Sequence, residues 1–180
     1  MPANALRIIG GRWRGRRLRF PESPELRPTP DRVRETLFNW LGQDLTGRTT
    51  LDPFAGSGAL SLEALSRGAT LAVAVDRDPG LVRALEATGA TLGASGLEAH
   101  CDDALAYLAR ERRRFDVVFL DPPFADDDWA RLLRAVSMRL AEEGTIYVEA
   151  RTQIEAPEGL GLWRHDKAGR VHYHLLRRVT

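Results

Sequence analysis

A chain of 180 residues that is 43% apolar and 28% charged has the size and composition of one soluble globular domain with room for only a small appendage. No apolar run approaches the roughly 20 residues that cross a bilayer, and the first residues lack the apolar stretch of an export signal. The single cysteine, Cys101, cannot form an internal disulfide, which fits a reducing cytoplasm. The net charge of +1 hides an asymmetry: residues 1–34 hold nine arginines against three acids, while the rest carries an excess of five acids. That concentration of arginine at one end points to an anionic partner such as nucleic acid.

In chain order, Leu6 to Phe20 reads as a short basic hairpin with Gly10-Gly11 as one turn. Residues 21–30 are proline-rich and carry little regular structure. Asp31 suits a helix N-cap, and the helix it opens runs to about Leu41 with Val33, Leu37, Trp40 and Leu41 as its apolar stripe. Gly47 closes the connection, which divides the chain into an N-terminal extension (1–46) and a main domain (47–180).

From there strands and helices alternate. Strands are predicted at Thr49–Pro53, Leu71–Asp76, Leu97–Cys101, Asp116–Leu120 and Thr145–Glu149. Helices are predicted at Gly58–Arg67, Pro79–Leu92, Asp103–Glu111 and Asp128–Glu142, with Asp126, Asp127 and Asp128 favouring the start of the last. Such alternation implies an α/β fold with a mostly parallel, Rossmann-like sheet covered on both faces. The tail differs: Leu160–His165 and Arg170–Arg178, separated by a turn at residues 166–169, form an antiparallel hairpin.

Two stretches carry chemistry. Asp52-Pro53-Phe54-Ala55-Gly56-Ser57-Gly58 joins the first of those strands to its helix, where glycines let a ligand approach backbone N–H groups at a helix start. Asp76-Arg77 ends the next strand, where an acid binds ribose hydroxyls, and Asp103-Ala104 follows the third, where an acid can take an adenine amine. The third glycine of a dinucleotide fingerprint is missing, and Asp52 disfavours a pyrophosphate but suits a cationic amino group. Those features fit S-adenosylmethionine. The second stretch is Asp121-Pro122-Pro123-Phe124. Two prolines stop the strand before them and leave a carboxylate, bare carbonyls and an aromatic ring at the sheet's mouth. That set can accept hydrogen bonds from a planar amine and stack on its ring; a packed Pro-Pro turn is the structural alternative.

Arg7, Arg12, Arg14, Arg16 and Arg17 surround Trp13, so the arm offers guanidiniums for phosphates and a ring for an unpaired base. The alternative is a solvated hairpin whose Trp13 packs on the domain. His172 and His174 share a strand face, but with no further Cys or His ligand nearby no metal is expected.

With these residues the chain resembles the class I S-adenosylmethionine-dependent methyltransferases with a (D/N)PP(Y/F) motif. More narrowly it resembles the RsmD family, which methylates the N2 amine of a guanine in 16S ribosomal RNA. The resemblance rests on Arg7-Ile8-Ile9-Gly10-Gly11 with Arg14-Gly15-Arg16, on the block Arg27 to Leu41, on the glycine loop with residues 63–69, and on Phe119 to Phe124. It implies a seven-stranded catalytic domain in which Ala55, Gly56, Ser57 and Gly58 wrap the methionine end of the cofactor. Arg27, Pro28 and Thr29 close over that end, Asp76 holds ribose, and Asp103 with Ala104 sits by adenine. It also implies an assembled small ribosomal subunit as substrate. Pro53 and the helix around Thr88–Thr91 depart from the family pattern without removing a needed group. The rival expectations are an N6-adenine methyltransferase on DNA or RNA, a protein amide methyltransferase, and a non-catalytic RNA-binding assembly factor.

Overall fold

The computed structural model describes residues 5–24, 26, 28–123 and 128–179. The chain begins with a hairpin, β1 (Ala5–Arg7) and β2 (Arg17–Arg19), paired antiparallel with Leu6 opposite Leu18. Helix α1 (Asp31–Leu41) follows. Then come β3 (Thr49–Asp52), α2 (Ala59–Ser66), β4 (Leu71–Asp76), α3 (Pro79–Leu92), β5 (Leu97–Cys101), α4 (Ala104–Arg110), β6 (Phe115–Leu120), α5 (Trp129–Ser137) and β7 (Leu140–Ala150). The chain ends in β8 (Leu160–Ala168) and β9 (Val171–Arg178). The main sheet has the order β5-β4-β3-β6-β7-β9-β8, parallel from β5 to β7, with β9 antiparallel to both its neighbours. The order reverses between β3 and β6, the switch point outside whose strand ends such sheets bind ligands.

One face of the sheet is covered by the hairpin, α1, α2 and α3; the other by α4 and α5. Strands β4 and β6 are nearly all apolar because both of their faces are buried. Leu6, Ile8, Leu18, Phe20, Val33, Leu37 and Phe38 of the extension belong to the same core as Leu62, Val117, Phe119 and Tyr147. Residues 1–46, read from sequence as an appendage, therefore supply part of one shared core. Phe38 reaches Phe119 on β6 with ring centroids 6.1 Å apart, which fixes α1 over the middle of the sheet.

A buried ion cluster fastens the extension. Glu63 on α2 is fully buried and accepts the backbone N–H of Ile9 (3.0 Å) and of Gly10 (2.8 Å). It also receives Arg34 of α1 at 3.4 Å and Arg67 at 3.0 Å. Arg34, fully buried too, reaches Asp31 at 2.5 Å, the Arg7 carbonyl at 2.9 Å and the Thr29 carbonyl at 3.3 Å. Gly11 has a φ of +76°, and a Cβ there would lie 2.0 Å from the Ser66 carbonyl, so only glycine lets the hairpin meet the end of α2. The Arg12 N–H bonds that same carbonyl at 2.7 Å.

Four expectations need correction. The last helix ends at Ser137, not Glu142, because Leu140 is buried and pairs with Phe115, so β7 begins nine residues before its strand-end acid. Asp31 is the first residue of α1, not its N-cap; Pro30 caps by its carbonyl, and the Asp31 carboxylate turns to Arg34. On α1, Arg34 and Phe38 are buried where the stripe was read without them, and Trp40 is half-buried against Tyr173. The final turn is Gly169-Arg170, since β8 continues through Asp166 and Lys167 to Ala168. Asp128 does cap α5, accepting the Arg131 N–H at 3.1 Å, while Asp126 and Asp127 lie outside the described residues.

Candidate active site

A cavity of about 570 Å³ opens at the carboxyl ends of β3, β4, β5, β6 and β7, within the range of small-molecule sites. Its walls include Pro28, Thr29, Asp52, Phe54, Ala55, Gly56 and Ser57, then Asp76, Arg77, Asp103, Ala104, Asp121, Pro122 and Pro123. Residues that the sequence reading put at four separate strand ends, those of β3, β4, β5 and β6, thus line one cavity. Gly58 does not line the cavity. It stands behind the loop as the N-cap of α2 with a φ of +77°, and a Cβ there would meet Leu85 at 2.3 Å. Arg27 and Phe124 lie outside the described residues.

The loop is held open by its own acids. Asp76 accepts the N–H of Gly56 and of Asp78, both at 2.9 Å, and Asp52 accepts the Phe54 N–H at 3.2 Å. Asp103 caps α4 by accepting the Ala106 N–H at 2.9 Å. These are one or two bonds to carboxylates that can each accept about four, so room for a ligand's donors remains.

The floor is acidic. Asp52 is buried, and burial, reinforced by the charges of Asp76 and Glu149, pushes its carboxyl up to about 8. Asp121 is held well above the usual carboxylate range by burial, by the charges of Glu149 and Asp52, and by a hydrogen bond to Glu149. Glu149 is raised by burial, against hydrogen bonds from Tyr147 at 2.7 Å and Thr29 at 3.1 Å that favour its charged form. Burial and the neighbouring Glu149 also push the Tyr147 phenol up. A ligand with a fixed positive charge and an ammonium group would be favoured on such a floor; a phosphate would be repelled. The ribose-side acid, the open glycine loop and these buried carboxyls fit S-adenosylmethionine.

Glu149 escaped the sequence reading as a site residue. Its signal was available: it ends a predicted strand, as Asp52, Asp76 and Asp121 do. Leu120 pairs with Val148, which makes Asp121 and Glu149 neighbours across the β6–β7 edge. Leu26, Trp129, Arg131 and Arg151 also line the cavity and had no local pattern to mark them.

The proposed RNA-contacting side chains separate into two groups. Arg7, Arg12, Arg14, Arg16 and Arg17 are exposed along the hairpin. Trp13 is not: it is 7% exposed in the shared core and its backbone N–H donates to the Ser66 hydroxyl at 2.9 Å, so its ring is unavailable to stack on a base. The reading of an isolated histidine pair also changes, because β8 places His165 opposite His174 and the three rings lie within reach of one another. Both nitrogens of His174 are engaged, Nε2 with the Ile154 N–H at 3.1 Å and Nδ1 with the Val148 carbonyl at 3.2 Å. The ring is a brace between β9 and the segment after β7.

A doubly wound sheet with a glycine loop and acid-ended strands at its switch point places the protein among the Rossmann-like methyltransferases. The family model described as conserved hypothetical protein 95 matches residues 6–177. The ribosomal RNA small subunit methyltransferase D of Escherichia coli (strain K12) is 44% identical over 96% of this chain and 90% of its own. That of Haemophilus influenzae is 39% identical over 94% and 92%. The solved structure of the E. coli putative methyltransferase yhhF superposes with a TM-score of 0.89 at 39% identity, covering 98% of this chain and 99% of its own. The chain belongs to this family, the RsmD family of methyltransferases.

Proposed function

We propose that the protein transfers a methyl group from S-adenosylmethionine to the exocyclic N2 amine of a guanine in small-subunit ribosomal RNA. The observation that carries this reading is Asp121 with Pro122 and Pro123 at the end of β6, on the wall of the cavity that the glycine loop also lines. S-adenosylmethionine supplies an electrophilic methyl on a sulfonium. Asp121 and the Pro122 carbonyl accept the two N–H groups of the amine, which localises its lone pair and orients it for in-line attack. The base must be unpaired or flipped out to enter. Relatives named as ribosomal RNA methyltransferases support the substrate class. The preference for guanine rests on family resemblance and on Asp, not Asn, at position 121.

The exposed hairpin arginines hold RNA, Ser23, Pro24, Leu26, Pro28, Thr29 and Pro30 form one wall of the cavity, and residues 47–180 carry the chemistry. The substrate is an assembled or assembling small subunit, which brings most of its own shape to a small enzyme in the cytoplasm. Among the described residues no helix is long and apolar enough to cross a membrane.

The test is labelled methyl transfer to small subunits from cells that lack the protein, followed by nucleoside analysis. N2-methylguanosine is expected. N6-methyladenosine would select the adenine reading, and no transfer would select the assembly-factor reading. Asp121→Ala should abolish transfer while binding of S-adenosylhomocysteine persists; lost binding with transfer intact would overturn the assignment.

A further inference from the structure

We propose that Glu149 is a positioning residue that makes Asp121 and Glu149 one proton-holding unit, which must empty to receive the amine and takes up the amine's proton after transfer. The inference rests on the methyltransfer reading above and adds to it a second carboxyl.

The geometry carries it. Asp121 and Glu149 end adjacent parallel strands, one residue beyond the Leu120–Val148 pair. Their carboxyls are hydrogen-bonded to each other. Two carboxyls joined this way hold a proton between them, because neither carboxylate has one to donate. Glu149 Oε1 already accepts from the hydroxyls of Tyr147 and Thr29. Those two bonds favour the charged form of Glu149, so the shared proton rests on Asp121. A protonated Asp121 donates its O–H to Glu149 and offers an amine only a neutral carbonyl oxygen, a weaker acceptor than a carboxylate.

The charged and titratable groups acting on the pair are Asp52 from β3, Tyr147 from β7 and, through Tyr147, Tyr173 from β9. Asp76 from β4 acts on Asp52. The carboxyls favour keeping the proton, whereas the Tyr147 hydroxyl, which donates to Glu149, favours its loss. The unit therefore empties only when positive charge enters the cavity or the pH rises.

In the transfer, the N2 lone pair forms the new C–N bond as the methyl–sulfur bond breaks and its electron pair stays on sulfur. N2 is then cationic with one proton in excess. That proton passes to Asp121, shared with Glu149, and leaves to solvent with product release. The unit needs no other base.

The experiment is the pH profile of kcat/KM for the subunit at saturating S-adenosylmethionine, where bound cofactor has already ionised Asp52. Glu149→Gln keeps the side chain's size but cannot share a proton as an acid, so the midpoint of the acid limb should fall by about one pH unit or more. Tyr147→Phe removes a hydroxyl that favours the ionised pair, so its midpoint should rise. Opposite displacements support the proposal. An unmoved midpoint in Glu149→Gln, or displacement of both variants in one direction, overturns it. A second readout needs no catalysis. Groups with raised acid values lose their contribution to stability as pH rises from about 4 through those values, so Tm should fall less steeply in Glu149→Gln than in the wild type. Equal slopes would likewise overturn the pair. Failure of the wild type to methylate any subunit would refute the underlying reading instead, and the Tm slopes would still decide the pair.

Discussion

Replacing Glu63 with alanine should unfasten the N-terminal extension. The carboxylate is fully buried and serves two backbone N–H groups and two guanidiniums. Its loss leaves Arg34, also fully buried, with Asp31 as its only acidic partner among the described residues. Breaking a buried pair by removing one partner costs about 3–5 kcal/mol. The orphaned N–H groups of Ile9 and Gly10 are only half-buried, so water recovers part of theirs; about 1 kcal/mol more is a fair allowance. A total near 5 kcal/mol is a third or more of the roughly 5–15 kcal/mol that holds a domain folded. In urea unfolding, with a slope of about 2 kcal/mol per M, the midpoint should drop by about 2–3 M. The double variant Arg34→Met/Glu63→Leu should recover the part of that loss owed to a stranded Arg34, while Arg67 still lacks its carboxylate. A midpoint for Glu63→Ala within about 0.5 M of the wild type, an energy near 1 kcal/mol on the same slope, would refute the anchoring role.

Asp52 should make cofactor affinity depend on pH. Its carboxyl value of about 8 means that the neutral form dominates below that pH and must release a proton to meet an ammonium group. Affinity for S-adenosylhomocysteine should therefore rise from pH 6 to 8 by calorimetry, and Asp52→Asn should weaken and flatten it; a flat wild-type profile would count against the contact. On the hairpin, replacing Arg14, Arg16 and Arg17 with glutamine should lower the slope of log affinity against log salt by up to about 2 for single-stranded RNA. Trp13→Ala should instead leave that slope alone and cost about 3–5 kcal/mol of stability in urea, as loss of a buried aromatic does.

Much of the sheet was legible because apolar runs alternate with helical periods, and Pro79–Leu92 was read to the residue. There Pro79 at the helix start, the capping Asp78 and Gly93 after the end all act locally. The end of α5 was not legible. Residues 138–142 have ordinary helix propensity, yet Met138 and Arg139 form a turn and Leu140 opens β7 because it pairs with Phe115, more than twenty residues earlier in the chain. The same holds for Arg34 and Glu63. Each looks like a surface charge on an amphipathic helix, and only their meeting across 29 positions shows that both are interior. Trp13 misled for the opposite reason: surrounded by arginines in sequence, it alternates inward with Leu18 and Phe20 in space.

These bonds also tie the segment from Pro28 to Leu41 to the cavity. Arg34 points away from the cavity into Glu63, yet its Nε bonds the Thr29 carbonyl. The Thr29 hydroxyl bonds Glu149, and Glu149 bonds Asp121. The hydrogen-bonded path therefore runs without a break from the hairpin anchor on α2 to the carboxyl proposed to meet the amine. Ser23, Pro24, Leu26, Pro28 and Pro30 complete that wall of the cavity. Deleting residues 1–46 is consequently not a test of RNA binding: it uncovers Leu62, Phe119 and Tyr147 in the core and releases Glu149 from Thr29. Only changes confined to exposed side chains, such as Arg14, Arg16 and Arg17, separate the grip on RNA from the shape of the site.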